Sequence, residues 1–281
     1  MPVLRPAPVL GHQALTRRKV VTDPVLTRFF LFQWLSLPVF VVIRLIITAY
    51  NFAWLIYNIH KFGAKLFIFL TNWTFTILNI YFVYATTLSC ISLYKDLRSP
   101  TQTTPGDQVV EMEMGHIDGN DYGAVEREES REKDALRFHH KLLWFLYVIS
   151  ATAGVWITAG YWTVLVGDDP IDANNITKHA LNSVFMVIDT CLSSIPIRLY
   201  HSIYPLLYLV IYIVFSVIYW LLDGTNIQGE PFIYEALNYS DFDPTIGGLL
   251  VVFLLVVLPI LHLILFGITK LRDYLHRKYT A

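Results

Sequence analysis

Six stretches of the chain are apolar for long enough to cross a bilayer as helices, at about residues 37 to 58, 66 to 93, 142 to 166, 178 to 196, 202 to 222 and 246 to 270. A spanning helix needs roughly 20 mainly apolar residues. The polar stretches between them differ in kind. Residues 1 to 28 are basic and Pro-containing, with no short apolar core and small-residue cleavage site, so the first span is expected to act as its own insertion signal. Residues 95 to 140 carry the Ser-Pro, Thr-Thr-Pro-Gly and Asp-Gly-Asn-Asp clusters of a loop, then a Glu/Arg-rich run from Glu126 to Arg137 with the composition of a short surface helix. The expected organisation is a tail (1–36), a helix pair (37–94), an acidic and largely disordered cytosolic loop (95–140), four more helices (141–271) and a short tail (272–281). The predicted fold class is all-α, a polytopic membrane helix bundle of about six transmembrane helices with both termini cytosolic.

Composition agrees with that pattern. Of 281 residues, 55% are hydrophobic and only 15% charged, and the mean hydropathy is +0.49, values that do not describe a soluble surface. The formal net charge of -1 conceals an uneven distribution, because half of the 22 carboxylates lie between Lys95 and His140. Basic residues set the orientation. With the N-terminus inside, 17 Lys and Arg fall in cytosolic segments against 3 outside (Lys61, Lys65, Lys178), as the positive-inside rule requires. Two sequons, Asn175-Ile-Thr177 and Asn238-Tyr-Ser240, then fall in outer loops as candidate glycosylation sites, while Asn72-Trp-Thr74 lies within the second span. Cys90 and Cys191 sit in apolar runs and imply no disulfide framework; Cys90 could be acylated, although a small buried apolar role suffices. Adjacent His139 and His140 point about 100° apart on a helix and make a poor metal pair. No phosphate-binding loop, dinucleotide fingerprint or zinc spacing is present, so neither a cofactor nor a nucleic-acid partner is expected, and the partner of such a chain is membrane lipid.

Ionisable residues in hydrocarbon are costly and mark pairing or function. Two occur within the spans, Arg44 and Asp189. Span one runs outward and span four inward, which puts each about seven residues, roughly 10 Å, from the cytosolic edge. The matched depth and opposite sign predict an ion pair between the two spans. A second polar layer forms toward the outer face. Thr71 and Asn72 lie early in span two, and His179 and Asn182, three positions apart and so on one helical face, open span four. A hydroxyl, an imidazole and carboxamides together can serve as nucleophile, base and oxyanion donor, or as polar contacts between helices. The loop after span five is acidic, and its aromatics Phe232, Tyr234 and Tyr239 suit an interfacial belt.

These strings also carry a family resemblance. Phe69-Leu-Thr71-Asn-Trp73, His179-Ala-Leu-Asn182-Ser183, Asp189, Ile195-Pro-Ile-Arg198-Leu-Tyr-His201, Tyr204-Pro-Leu-Leu-Tyr208, Ile218-Tyr-Trp220 and Ile233-Tyr234 together resemble the rolling stone family of multispanning membrane proteins, over nearly the whole chain except the N-terminal tail and the acidic loop. That family is associated with insect muscle-cell fusion, which implies a role in membrane or cell-surface organisation, such as myoblast fusion. A more distant similarity is to the androgen-induced family of membrane hydrolases, which cleave fatty acid esters of hydroxy fatty acids with a threonine and a histidine. Their threonine follows Phe-Leu, as Thr71 does. Their His-x-x-His string corresponds to His179 and Asn182, so the position of the catalytic second histidine holds asparagine here. The resemblance therefore implies an alternative activity, an intramembrane threonine hydrolase of lipid esters, in which His179 would take the base role and Asn72 or Asn182 would donate to the oxyanion. A channel or transporter would call for more intramembrane charge or broken helices than the chain carries.

Overall fold

A computed structural model of the chain describes residues 34–98, 138–165 and 172–280. The N-terminal tail and the acidic loop, including the run from Glu126 to Arg137, lie almost wholly outside these residues. Among the described residues every regular element is helical. Helix α1 (Leu37–Phe62) begins with Pro38 in its first turn and ends at Gly63, whose φ of 59° is open to glycine at little cost. A 3-10 turn (Gly63–Ile68) leads into α2 (Leu70–Arg98). Helix α3 (Phe138–Gly160) runs on into a π-helical turn (Tyr161–Leu165), and α4 (Ala173–Ile176) passes through a second π turn (Thr177–Leu181) into α5 (Asn182–Leu192). After an extended link and a 3-10 turn (Leu199–Ser202) come α6 (Ile203–Leu221), α7 (Pro244–Val252), a third π turn (Phe253–Val257) and α8 (Leu258–Thr280).

Five of these stretches are long and apolar enough to cross a membrane: Leu37–Ile68, Leu70–Arg98, Phe138–Thr163, Leu199–Leu221 and Pro244–Tyr279. The predicted fourth span differs from them. Its helix starts earlier, at Ala173, and stops at Leu192. It falls outside the five because Asn174, Thr177, Lys178, His179, Asn182 and Asp189 dilute its apolar character, yet all six are buried within the bundle. Polar side chains face inward on α1 as well. Its buried face reads Phe40, Arg44, Ile47, Asn51, Leu55 and Asn58 at helical spacing, while Val42, Ile46 and Ile56 are more than half exposed. That inversion suits a helix whose outer surface meets lipid.

Helix α2 lies between α1 and α3, and α3 also touches α5, α6 and α8. The run Ser150-Ala-Thr-Ala-Gly154 explains how α3 serves so many neighbours, since small residues let backbones approach closely, and Ala151 and Ala153 are fully buried. The main core gathers Leu78, Tyr81, Phe82, Tyr147, Met186 and Leu265 around these helices. At the start of α7 the Asp243 side chain accepts the Thr245 backbone N–H at 2.7 Å and Pro244 fills the first turn, a helix start written into the local sequence.

Candidate functional site

Two polar layers cross the bundle. In one, Arg44 and Asp189 are 1% and 2% exposed and meet in a two-pronged contact, Nε to Oδ1 at 2.8 Å and Nη2 to Oδ2 at 3.1 Å. Tyr81 donates its phenolic hydrogen to the same carboxylate, and the remaining guanidinium nitrogen, Nη1, donates to Ser89 Oγ at 3.0 Å. The Phe40 ring lies 4.3 Å from the guanidinium. Every strong hydrogen-bonding direction of the arginine is met, the condition under which a buried ion pair is tolerated. The network joins α1, α2 and α5.

Next to it stands a residue that sequence reasoning assigned to the C-terminal tail. Arg272 is 4% exposed. Its Nη1 donates to the carbonyls of Thr190 at 2.8 Å, Ser193 at 2.6 Å and Ile195 at 3.2 Å, while Nε and Nη2 hold Asp273. These carbonyls belong to the end of α5 and the extended link that follows. Trp144 and His262 complete the same task, donating to Pro196 O at 2.6 Å and pairing with Arg198 O at 2.9 Å. Non-helical backbone at membrane depth persists only where protein satisfies it, and three side chains from α3 and α8 do so here.

The other layer encloses space. An apolar chamber of about 130 Å³ lies among α3, α6, α7 and the 222–243 loop, with Trp156, Leu209, Tyr212 and Leu254 in its wall. A larger vestibule of about 850 Å³, more polar than the chamber, lies between α1, α2, the second π turn and that same loop. Thr71, Tyr161, His179 and Tyr234 line both. They form the boundary between the two. Each π-helical turn contributes one ring to the apolar chamber, Tyr161, His179 and Phe253 in turn; such turns expose side chains that a regular helix would hold against its neighbours.

His179 stacks face to face on Tyr161, centroids 3.6 Å apart and planes 7° from parallel. Its backbone carbonyl accepts the Trp162 indole N–H at 2.8 Å, and its Nδ1 has no hydrogen-bond partner among the described residues. The Tyr234 phenol lies beside Thr71 and Tyr212 in the chamber wall, and burial pushes it above the ordinary tyrosine range. Asn72 donates to Leu66 O at 3.0 Å and receives a long 3.4 Å contact from Lys178 Nζ. Asn182 lines neither chamber and instead donates to Lys178 O, one turn back, at 2.8 Å. Thr71 and His179 are thus brought to one wall, with Asn72 in the vestibule and Asn182 outside it. Asn175 and Asn238, the sequon asparagines, are half-buried and flank vestibule residues on the second π turn and the loop. Among the described residues no three His, Cys, Asp or Glu side chains converge as metal ligands.

An apolar helical exterior, a buried ion-pair layer and two adjoining cavities with a hydroxyl and an imidazole on their shared wall define a polytopic membrane protein. Residues 12–281 match the family model described as "Protein rolling stone". The protein rolling stone of Drosophila melanogaster is 25% identical over 264 residues, covering 92% of this chain and 83% of the relative. The chain therefore belongs to the rolling stone family. No solved structure matches it significantly.

Proposed function

We propose that this rolling stone-family membrane protein acts on membrane lipids by hydrolysing fatty acyl esters at Thr71. The observation that carries the reading is the placement of Thr71 and His179 on the wall that the apolar chamber shares with the more polar vestibule. An ester with its acyl chain in the chamber and its alcohol in the vestibule has its carbonyl carbon at that boundary. The Thr71 hydroxyl attacks that carbon as His179 takes the hydroxyl proton. The C–O bond to the alcohol breaks, and the alcohol leaves with the proton from His179. Water, deprotonated in turn by His179, releases the fatty acid and restores Thr71. Asn72 and the Tyr234 phenol are the donors near the developing oxyanion, a role the position of Asn182 does not serve. A lipid-like phosphonate reactive toward serine and threonine tests this directly: wild type is tagged and Thr71→Ala is not, whereas an untagged wild type removes the nucleophile from the reading.

A second reading, membrane or cell-surface organisation of the kind myoblast fusion requires, is supported by how much of the buried polarity serves helix packing, from Arg44 with Asp189 to Arg272 on the 193–198 link. In both readings the termini are cytosolic and the vestibule faces outward in the plasma membrane or an endomembrane, with Asn175 and Asn238 as acceptors of lumenal glycans. A glycosidase-sensitive mobility shift that shrinks in Asn238→Gln and disappears when both asparagines are replaced checks that orientation; a shift that survives removal of both contradicts it.

A further inference from the structure

Ester cleavage at Thr71 makes no use of Lys178. This lysine is 8% exposed and lines the vestibule beside His179. Its Nζ has one long contact, 3.4 Å to Asn72 Oδ1, and lies 5.9 Å from the Phe62 ring centroid. None of the described carboxylates forms an ion pair with it. Asp172, the acid whose field it feels most, is exposed and caps α4 by accepting the Asn175 N–H at 2.7 Å. Lys65, exposed in the 3-10 turn after α1, is engaged by contrast: it holds Asn226 O at 2.9 Å and Thr225 Oγ1 at 3.3 Å, fastening the loop. Glu230 and Glu235 line the vestibule from the loop, and Glu230 is engaged by Asn226 Nδ2 at 2.8 Å.

A buried cation without an anion is unfavourable, and a charged wall continuous with an apolar chamber is the layout of a site for a molecule that is anionic at one end and apolar along its length. We infer that the two chambers bind a single-chain amphiphile with an anionic head, a carboxylate or a phosphate monoester, with Lys178 as its counter-charge and its chain in the apolar chamber. Ile213 and Leu249, which line that chamber from α6 and α7, are 40% and 45% exposed on the bundle exterior, so the chain reaches it sideways from the bilayer. The inference rests on the reading that the chambers hold lipid but not on Thr71 chemistry.

The test measures binding of tritiated oleate, oleoyl lysophosphatidate and the neutral isostere oleyl alcohol to the Thr71→Ala protein in phosphatidylcholine nanodiscs, where turnover is barred. One charge-assisted hydrogen bond predicts that an anionic ligand binds about 10-fold or more tighter than oleyl alcohol. Adding Lys178→Met abolishes that preference, bringing the anionic ligands down to the level of oleyl alcohol, while Lys178→Arg retains it. Preference for oleate alone identifies a fatty-acid carboxylate, and preference for lysophosphatidate alone a phosphate head. Equal binding of all three ligands overturns the head-group assignment while leaving a lipid chamber. Binding of none overturns both, and an anion preference that survives Lys178→Met removes Lys178 from the site.

Discussion

Removing one member of the Arg44–Asp189 pair should cost far more than removing both. In Asp189→Leu the guanidinium of Arg44 stays buried and loses both carboxylate contacts, at 2.8 and 3.1 Å, and the Tyr81 hydroxyl loses its acceptor. A buried charge left without its partner costs about 3 to 5 kcal/mol. Arg44→Met leaves the carboxylate of Asp189 held by Tyr81 alone, and a similar loss is expected. In the double variant no charge remains. Ser89 keeps its hydrogen bond to Ala85 O at 2.8 Å, so the main residual penalty is the Tyr81 hydroxyl, about 1 to 3 kcal/mol for one unsatisfied group. The double variant therefore unfolds within about 3 kcal/mol of wild type, although the two single losses sum to about 6 to 10 kcal/mol. Reversible unfolding of the purified protein in mixed micelles, titrated with denaturing detergent, gives all four corners of the cycle. Strict additivity would refute the argument, because it would mean that the two charges do not depend on each other.

Arg272→Leu strips the carbonyls of Thr190, Ser193 and Ile195 of their shared donor; a loss of about 3 kcal/mol or more is expected, read as a fall in melting temperature that Arg272→Lys partly reverses. Gly224→Ala and Gly247→Ala form a paired test of packing. A Cβ at Gly224 meets the Tyr219 ring at 2.4 Å, and that ring is tied through its hydroxyl to Thr225 O at 2.8 Å, so about 1 to 3 kcal/mol is lost. A Cβ at Gly247 meets Phe242 at 2.2 Å, but Phe242 is 55% exposed and can swing away. The second substitution should leave the melting temperature nearly unchanged, and equal losses would contradict the distinction. Trp144→Phe keeps the ring in place and deletes only the donor to Pro196 O; about 1 kcal/mol of destabilisation is expected by the same assay.

Hydropathy made the lipid-crossing helices legible, because length and apolar run are local properties. The depth of Arg44 and Asp189 was also readable, since alternating span direction converts residue counts into height. Arg272 was hidden by its company: among Lys270, Arg277 and Lys278 it reads as one more basic residue beyond the membrane, and nothing local reveals that α8 carries it alongside the link at 193–198. Tyr234 reads as an interfacial aromatic because its contact with Thr71 spans 163 positions of chain. The spacing of His179 and Asn182 assumed a regular helix. Thr177–Leu181 is a π turn, whose i→i+5 bonds add about one residue to the turn; His179 then lines the chambers while Asn182 turns back on its own helix. Tyr161 enters the chamber from another such turn, and its string Tyr-Trp-Thr-Val-Leu is as compatible with a regular helix as with a π turn. The turn ending at Val257 is different in one respect, because Pro259 lies just beyond it and cannot donate to the carbonyl four residues back.

The measurement that bears most directly on the proposed activity is release of fatty acid from a long-chain acyl ester by the purified protein in nanodiscs, comparing wild type, Thr71→Ser and Thr71→Ala. The account predicts that wild type and the serine variant release fatty acid, and that the alanine variant, equally stable, falls by about 1000-fold or more, as expected when a covalent nucleophile is removed. Turnover by Thr71→Ala at the wild-type rate, or none by well-folded wild type across esters of varied head group, would contradict it.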